Sequence, residues 1–517
     1  MKLITRLAAC AATAAIAAGS LAGPAQGAAA RTHGDMNGDG KTDITVSGGF
    51  GAPGHQLQII PGGTVGRLGS ALPAAVISQD TPGVPGKAGE YDGWGEVLAY
   101  GDFNRDGRAD VAVGAPRDTV DGASWAGSVT VLYGRSGTPY FSQGQRFTQS
   151  TPGVPGEAEP SDAFGEALAA GDFNGDGYTD LAIGAPGEQF GTHYDAGSVT
   201  VLKGGANGLT GVGAKSFSQN TAGVPGSVGT RNRFGLRLIA ANVAGDTKKE
   251  LIVVSPGDPG SGEVQPCTEN GQVWHYTTQG SLTVLRGTSG GPATSGLQYL
   301  DPAKLGIHGF SGYYAGGSTG TPGVAAKFYG GPYEDLAFAT PNARNGICGE
   351  GAVAVLRGGP NGLGTKPAVL TAAKAGKPRL PGKDWGFNLA AGDVDGDGRA
   401  DLYAPCNWCE EDRLGYTAIL FGTPTGLGAG GRRWVWVNPY ERERTRNAAM
   451  LDVDGDRRSE LLLSYPDVAP AGGKPGVARV LKFAPSGTGV RIAAQQRLTR
   501  STVGSGASYG PQGPFAQ

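Results

Sequence analysis

The stretch GDFNGDGYTDLAIGAP, residues 171–186, decides how this chain is read. Its first half is an acidic turn that sets Asp172, Asn174, Asp176 and Asp180 around two glycines. Its second half, DLAIGAP, is a short apolar run that ends on proline, which a sheet ladder cannot take into its interior. Six relatives recur: GDMNGDGKTDITVSGG from Gly34, GDFNRDGRADVAVGAP from Gly101, ANVAGDTKKELIVVSP from Ala241, AKFYGGPYEDLAFATP from Ala326, GDVDGDGRADLYAPC from Gly392 and LDVDGDRRSELLLSYP from Leu451. Each copy is followed by an alternating strand: QLQIIPG, SVTVLYG, SVTVLKG, SLTVLRG, AVAVLRG, YTAILFG or VARVLKF. The chain is a sevenfold repeat of one small β unit.

Flanking residues travel with the unit. TPGVPG at Thr81–Gly86 returns at Thr151–Gly156 and, as TAGVPG, at Thr221–Gly226, an interval of 70 residues. Trp94–Gly95, Phe164–Gly165 and Phe234–Gly235 keep the same interval. An aromatic–glycine pair opens a first strand, the acidic loop reverses it into a second, a variable loop leads to the third, and a fourth ends before TPGVPG. That linker, rich in proline and glycine, carries the chain from one sheet's outer strand to the next sheet's inner strand. Seven four-stranded antiparallel sheets in succession predict an all-β, seven-bladed β-propeller over residues 31–517. The first unit begins at its acidic loop, so the C-terminal segment with Tyr509–Gly510 is expected to supply its missing strand. Pro511 and Pro514 leave a three-stranded first blade as the alternative.

Residues 1–30 stand apart. MKLITR is basic, LAACAATAAIAAGSLAG is apolar, and AQGAAA offers small residues for cleavage, which together read as a secretory signal peptide. The rest is expected to be a secreted, extracellular monomer, with no later apolar stretch long enough to span a membrane. A formal net charge of −2 gives no footprint for nucleic acid. Beyond the signal, Cys267, Cys348, Cys406 and Cys409 remain, an even number that suggests disulfides in an exported chain. The pairs expected are Cys267–Cys348 and Cys406–Cys409. A redox reading of Cys406-Asn407-Trp408-Cys409 lacks the following helix that lowers a thiol pKa.

The pattern D-x-[DN]-x-D-G-x-x-D carries the strongest chemical signal. Side chains at positions 1, 3, 5 and 9 can converge with the carbonyl of position 7, and oxygen-only ligation by several carboxylates selects Ca²⁺. Four loops satisfy it: Asp35, Asn37, Asp39, Lys41 and Asp43; Asp102, Asn104, Asp106, Arg108 and Asp110; Asp172, Asn174, Asp176, Tyr178 and Asp180; Asp393, Asp395, Asp397, Arg399 and Asp401. A fifth, Asp452, Asp454, Asp456, Arg458 and Glu460, has Arg457 where glycine is expected, so four or five Ca²⁺ sites are expected. The fourth unit offers only Asn242, Asp246 and Glu250, and the fifth only Asp335. An EF-hand would place glutamate at position 12, where these loops have Val46, Val113, Ile183, Ala404 and Leu463.

These units resemble FG-GAP repeats, the blades of the integrin α-subunit head and of secreted bacterial FG-GAP proteins. The resemblance rests on FG…GDFNGDGYTDLAIGAP…GSVTVLKGG and extends over essentially the whole mature chain. It implies Ca²⁺ in the blade loops, on the face opposite the ligand-binding loops, and supplies no ligand.

An enzyme reading finds little. G-x-S-x-G occurs at Gly287–Gly291 and Gly316–Gly320, without the strand–turn–helix context of a nucleophile elbow, in a chain with 94 glycines. A non-catalytic binding or adhesion role, with an extracellular protein or carbohydrate as ligand, has more support. The loops between second and third strands carry Trp125, Tyr194, Trp274, Tyr276 and Trp408, whose rings suit stacking on sugars or anchoring a partner. Packing between blades is the competing explanation for each ring. An extracellular hydrolase or an accessory domain of a secreted enzyme system is the alternative function.

Overall fold

The computed structural model describes residues 34–499, apart from 49–55, 69–73, 90, 259–263, 270–271, 278–279, 308–312, 315–316, 319–322, 343–349, 372–385, 387–388, 407–415, 429–434, 438–446, 465–475 and 487–488. The expected signal peptide and the C-terminal closing strand lie outside these residues.

Each acidic loop turns a first strand into a second, and each variable loop turns that into a third. In the second blade the strands Val97–Gly101, Asp110–Ala115, Ser128–Gly134 and Phe141–Phe147 pair in that order, antiparallel throughout. The third (Ala167–Gly171, Asp180–Ala185, Ser198–Lys203, Thr210–Phe217) repeats it. Blades four to seven are also four-stranded. Among the described residues the first blade has three strands, Ile44–Gly48, Gln56–Ile60 and Ala75–Ser78, corresponding to the second to fourth strands elsewhere. The fourth blade carries an inserted hairpin, Val264–Glu269 with Gln272–Thr277, between its second and third strands, which the repeat pattern does not foretell.

The fold is a seven-bladed β-propeller, and its ring is stitched by one backbone hydrogen bond repeated at every joint. The N–H at loop position 8 donates to the carbonyl at position 1 of the preceding blade: Ala109 to Asp35, Thr179 to Asp102, Lys249 to Asp172, Glu334 to Asn242, Ala400 to Lys327 and Ser459 to Asp393. Thr42 to Asp452, at 3.2 Å, joins the first blade to the last. Gln496 of the last blade reinforces this closure, accepting from the Gly66 and Leu68 N–H groups through Oε1.

Position 2 explains why one apolar residue sits in each acidic loop. Met36, Phe103, Phe173, Val243, Phe328, Val394 and Val453 are all fully buried, each in the hydrophobic cluster shared with the following blade. Seven such clusters fill the seven crevices, the last joining Val453 to Ile44 and Ile60. The paired glycines of the motif meet across the same crevices. A Cβ at Gly184 would lie 2.2 Å from the Gly235 carbonyl oxygen, and one at Gly114 would lie 2.3 Å from that of Gly165. Only a bare backbone allows that approach. In the linkers, Thr81, Thr151 and Thr221 each accept through Oγ1 from the N–H three residues earlier, and Val84, Val154 and Val224 are buried.

Candidate metal centres in the acidic loops

All seven loops lie at one end of their blades, where the first strand meets the second. The position 1 carboxylate folds the loop over itself. Asp172 accepts from Gly175 N–H at 2.6 Å and from Gly177 N–H at 2.9 Å. Asp35, Asp393 and Asp452 make the same bonds to their own loops. Position 3 oxygens accept the position 5 N–H, as in Asn104 to Asp106 at 3.0 Å. Position 5 oxygens accept the position 7 N–H, as in Asp39 to Lys41 at 3.0 Å. Asx turns therefore curl each loop on itself, and in the sixth and seventh loops the carboxylates converge. Oxygens of Asp393, Asp395 and Asp401 lie within 4.8 Å of one another, as do those of Asp452, Asp454 and Glu460.

Position 9 differs from the rest. Asp43, Asp110, Asp180, Glu250, Asp335, Asp401 and Glu460 are all buried, and every loop keeps one. One oxygen usually accepts the position 2 N–H, and the other accepts the N–H of the glycine that ends the third strand. Asp110 takes Phe103 N–H and Gly134 N–H, both at 2.9 Å. Asp43, Asp180 and Asp401 bind equivalent pairs. The carboxylate thus ties the loop to its own blade before any ion is considered.

Burial first, then neighbouring carboxylates, raises these acids. Asp43 and Asp180 rise to about 7, Asp110 and Glu460 to about 8, and Asp401 well above the ordinary carboxylate range. Asp35, Asp393 and Asp452 are raised as well, again chiefly by burial. Converging hard oxygens whose charge is poorly solvated are the donor chemistry that a divalent cation relieves.

The FG-GAP repeat family profile matches residues 94–132 and 164–202, the second and third blades. The chain carries FG-GAP repeats. Phosphatidylinositol-glycan-specific phospholipase D of Rattus norvegicus is 37% identical over 33% of this chain and 19% of its own length. Integrin alpha-E of Mus musculus is 32% identical over 29% of this chain and 12% of its own. Integrin alpha pat-2 of Caenorhabditis briggsae is 33% identical over 35% and 14%. The matched stretch thus spans about a fifth of the phospholipase D relative. Among solved structures, the rhamnogalacturonan lyase YesW aligns over 87% of this chain and 74% of its own at 14% identity, with a TM-score of 0.35, too low to argue from.

The seven blades use their loops unequally. In the seventh, Lys482 Nζ sits inside the loop, bonded to Asp454, 2.7 Å from Asp456 Oδ2 and 3.6 Å from Glu460 Oε1. In the fourth, Arg286 takes the equivalent strand position and approaches Asp246 at 3.8 Å and Glu250 at 3.7 Å. In the fifth, Arg357 occupies that position, and its charge draws the Asp335 pKa down against the burial that raises it to about 6. Intact loops one, two and six have Pro61, Tyr133 and Phe421 there instead. The third has Lys203, whose Nζ lies beside Gly213, where a Cβ would be 3.5 Å away.

The position 7 side chains reach the preceding loop. A Cβ at Gly38 would touch Arg108, one at Gly396 would touch Arg458, one at Gly330 would touch Arg399, and one at Gly455 would touch Lys41. Tyr178 lies beneath the Arg105 guanidinium, 5.8 Å from its ring centroid. The sequence singled out position 7 for its carbonyl; the structure adds packing against the preceding loop, while the charges of Arg399 and Arg108 pair with Asp397 at 2.9 Å and Asp106 at 3.9 Å in their own loops.

Lys482→Met removes the internal cation of the seventh loop. In chelator it is expected to destabilise the protein by about 2–4 kcal/mol, because several carboxylates lose their charged partner. Added calcium should restore most of that loss and bind one ion more than in wild type, read by calorimetric melting and calcium titration. A loss that calcium leaves untouched would show that the loop cannot take an ion.

Of the aromatic candidates, Trp125 and Tyr194 lie on the opposite face from the acidic loops, 55% and 47% exposed. Their loops staple neighbouring blades: the Trp125 carbonyl accepts from Ala163 N–H, and the Tyr194 carbonyl accepts from Arg231 N–H. The Trp274 and Tyr276 backbones lie in the inserted hairpin, and Trp408 falls outside the described residues. Cys267 and Cys406 are placed by backbone only, in strands Val264–Glu269 and Asp401–Cys406. Cys348 and Cys409 lie outside the described residues, so both expected disulfides do too.

Proposed function

We propose that this chain is a secreted, non-catalytic binding module, with Ca²⁺ in the acidic loops of blades one, two, three and six. Asp, Asn and backbone oxygens of those loops would hold each ion, which would supply charge neutralisation at the blade joints and no chemistry. Secretion rests on the N-terminal signal pattern. Among the described residues no helix is long and apolar enough to cross a membrane.

The observation that carries a binding role is Trp125. Its backbone is left-handed, with φ at 61°, and more than half of the residue is exposed. A bulky side chain held in that region costs about 1–2 kcal/mol, while more than half of its surface stays in solvent. Asp195 holds the same position in the third blade, with φ at 51° and a residue better suited to it. A left-handed backbone under a largely exposed indole supports selection of Trp125 for contact with a ligand, a protein or a carbohydrate, alongside Tyr194. Trp125→Gly should therefore raise stability by about 0.5–1 kcal/mol, since glycine adopts the conformation freely. The same change, and Tyr194→Ala, should abolish capture on a glycan array or from extracellular protein extracts. Lost stability with ligand capture retained would make Trp125 a packing residue.

A second reading, an accessory domain of a secreted enzyme system, draws support from the likeness to a phospholipase D over 33% of this chain. Ser289 weakens a catalytic version of it. Thr288 pairs directly with Gly291, so Ser289 and Gly290 form a two-residue hairpin turn with no helix behind them. Hydrolysis of phosphatidylinositol-glycan by the purified chain would favour the enzyme reading over the binding one.

A further inference from the structure

On the face opposite the acidic loops, equivalent side chains of successive blades form a polar knot, and the third blade's knot is incomplete. In the fourth blade the Gln219 amide is fully used. Its Nε2 donates to Asp258 Oδ2 at 2.9 Å, and its Oε1 accepts from Asn232 Nδ2 at 2.7 Å. Seventy residues earlier, Gln149 Nε2 makes the matching bond to Glu188 Oε2 at 2.7 Å. Asn232 is replaced there by Asp162, in the same backbone frame: Gly187 N–H donates to the Asp162 carbonyl as Gly257 N–H does to that of Asn232. An ionised carboxylate has no N–H to give. Gln149 is only 3% exposed, and its Oε1 is buried without a hydrogen-bond partner.

The second blade shows how such a knot is neutralised. It also has an aspartate, Asp92, and an orphaned Gln79 Oε1. There, however, Arg146 reaches Asp118, the counterpart of Glu188, at 2.7 Å. The third blade has Ser216 in place of Arg146 and Glu159 in place of Gly89. One cation has gone and one carboxylate has arrived. Oxygens of Glu159, Asp162 and Glu188 lie within 4.8 Å of one another, and among the described residues no lysine or arginine pairs with any of the three.

We infer that the third blade binds a divalent cation of the Ca²⁺ class here, held by Glu159, Asp162 and Glu188 with Gln149 Oε1 as a neutral fourth oxygen. The all-oxygen donor set fits that ion, and a buried amide oxygen left facing carboxylates fits no side-chain donor present. Glu159 is exposed, so the outer coordination positions are open to water or to an acidic group of a ligand. The site is independent of the acidic loops, which lie at the other end of the blade.

Anomalous diffraction from crystals of the mature chain grown in manganese, at about tenfold over the ~10⁻³ M dissociation constants of weak extracellular sites, tests this directly. A peak enclosed by Glu159, Asp162 and Glu188 is expected. It should vanish in Ser216→Arg, which restores the second blade's cation, and in Glu159→Gly, which restores its glycine. Both exchanges occur naturally 70 residues away, so the fold should tolerate them. Absence of the peak from wild type, while the acidic loops show theirs, would mean that a proton on Asp162 satisfies Gln149 instead, and would overturn the site. A peak surviving both substitutions would overturn it equally.

Discussion

Asp180→Ala is expected to destabilise the protein by about 2–6 kcal/mol, because it strands two backbone donors in the interior, at about 1–3 kcal/mol each. The donors are Phe173 N–H at 3.1 Å and Gly204 N–H at 3.0 Å. Neither can turn to water, since Phe173 is fully buried and Gly204 is wedged against the Thr179 carbonyl. Asp176→Ala, in the same loop, removes an exposed carboxylate and should cost under about 1 kcal/mol in chelator. Asp335→Ala gives the sharper comparison. The fifth loop has lost the other ligand positions, so a purely metal-binding role predicts no effect there. Asp335 nevertheless accepts from Tyr329 N–H and Gly358 N–H, so a drop in melting temperature like that of Asp180→Ala is expected, with no response to calcium. Melting curves of the three variants in calcium and in chelator decide between these outcomes.

Chelation is expected to lower the melting temperature of the wild type and to steepen its fall with rising pH. At millimolar calcium and dissociation constants of about 10⁻⁴–10⁻³ M, each loop gains about 0.4–1.4 kcal/mol by mass action, so four loops together contribute about 2–6 kcal/mol. Without the ion, Asp43 and Asp180 titrate at about 7 and Asp110 at about 8, well above their unfolded value of 3.8. Between those limits the folded chain holds more protons than the unfolded one. Stability must then fall as pH rises from about 4 to 8, the reverse of what salt-bridged carboxylates give. Calcium competes with those protons, so in its presence stability should fall less steeply over the same window. Melting temperatures at pH 5 and 8, with and without calcium, give four numbers, and the gap between calcium and chelator should be wider at pH 8. Parallel trends would show that the ion does not bind through these acids.

The blade count was legible because the repeat keeps its turn residues, which the backbone cannot exchange freely. Gly114 and Gly184 face a carbonyl, and the linker threonines cap a turn. The acidic pattern was legible too, but positions 1 to 5 and position 9 look alike in sequence while doing different work. A signal was present: the fourth and fifth loops lose nearly every other acid yet keep Glu250 and Asp335. Residues that survive when the rest of a motif decays point to a job the decay did not remove. Lys482 was not legible, since strand alternation places it on a face without saying that it reaches a loop more than 20 residues earlier. Nor was Gln149, whose orphaned oxygen emerges only when its blade is laid beside the next. The inserted hairpin at Val264–Thr277 breaks the period, and repeat reasoning has nothing to say about insertions.

The most direct measurement is a count of bound calcium by equilibrium dialysis at about millimolar free ion, near the expected dissociation constants. It compares wild type with a variant carrying Asp39→Ala, Asp106→Ala, Asp176→Ala and Asp397→Ala, one exposed ligand in each proposed loop. Taking the difference excludes any ion bound on the opposite face. About two to four ions fewer in the variant is the expected result, since each loop is then about half to nine-tenths filled. Equal occupancy in the two proteins would contradict calcium in the loops of blades one, two, three and six.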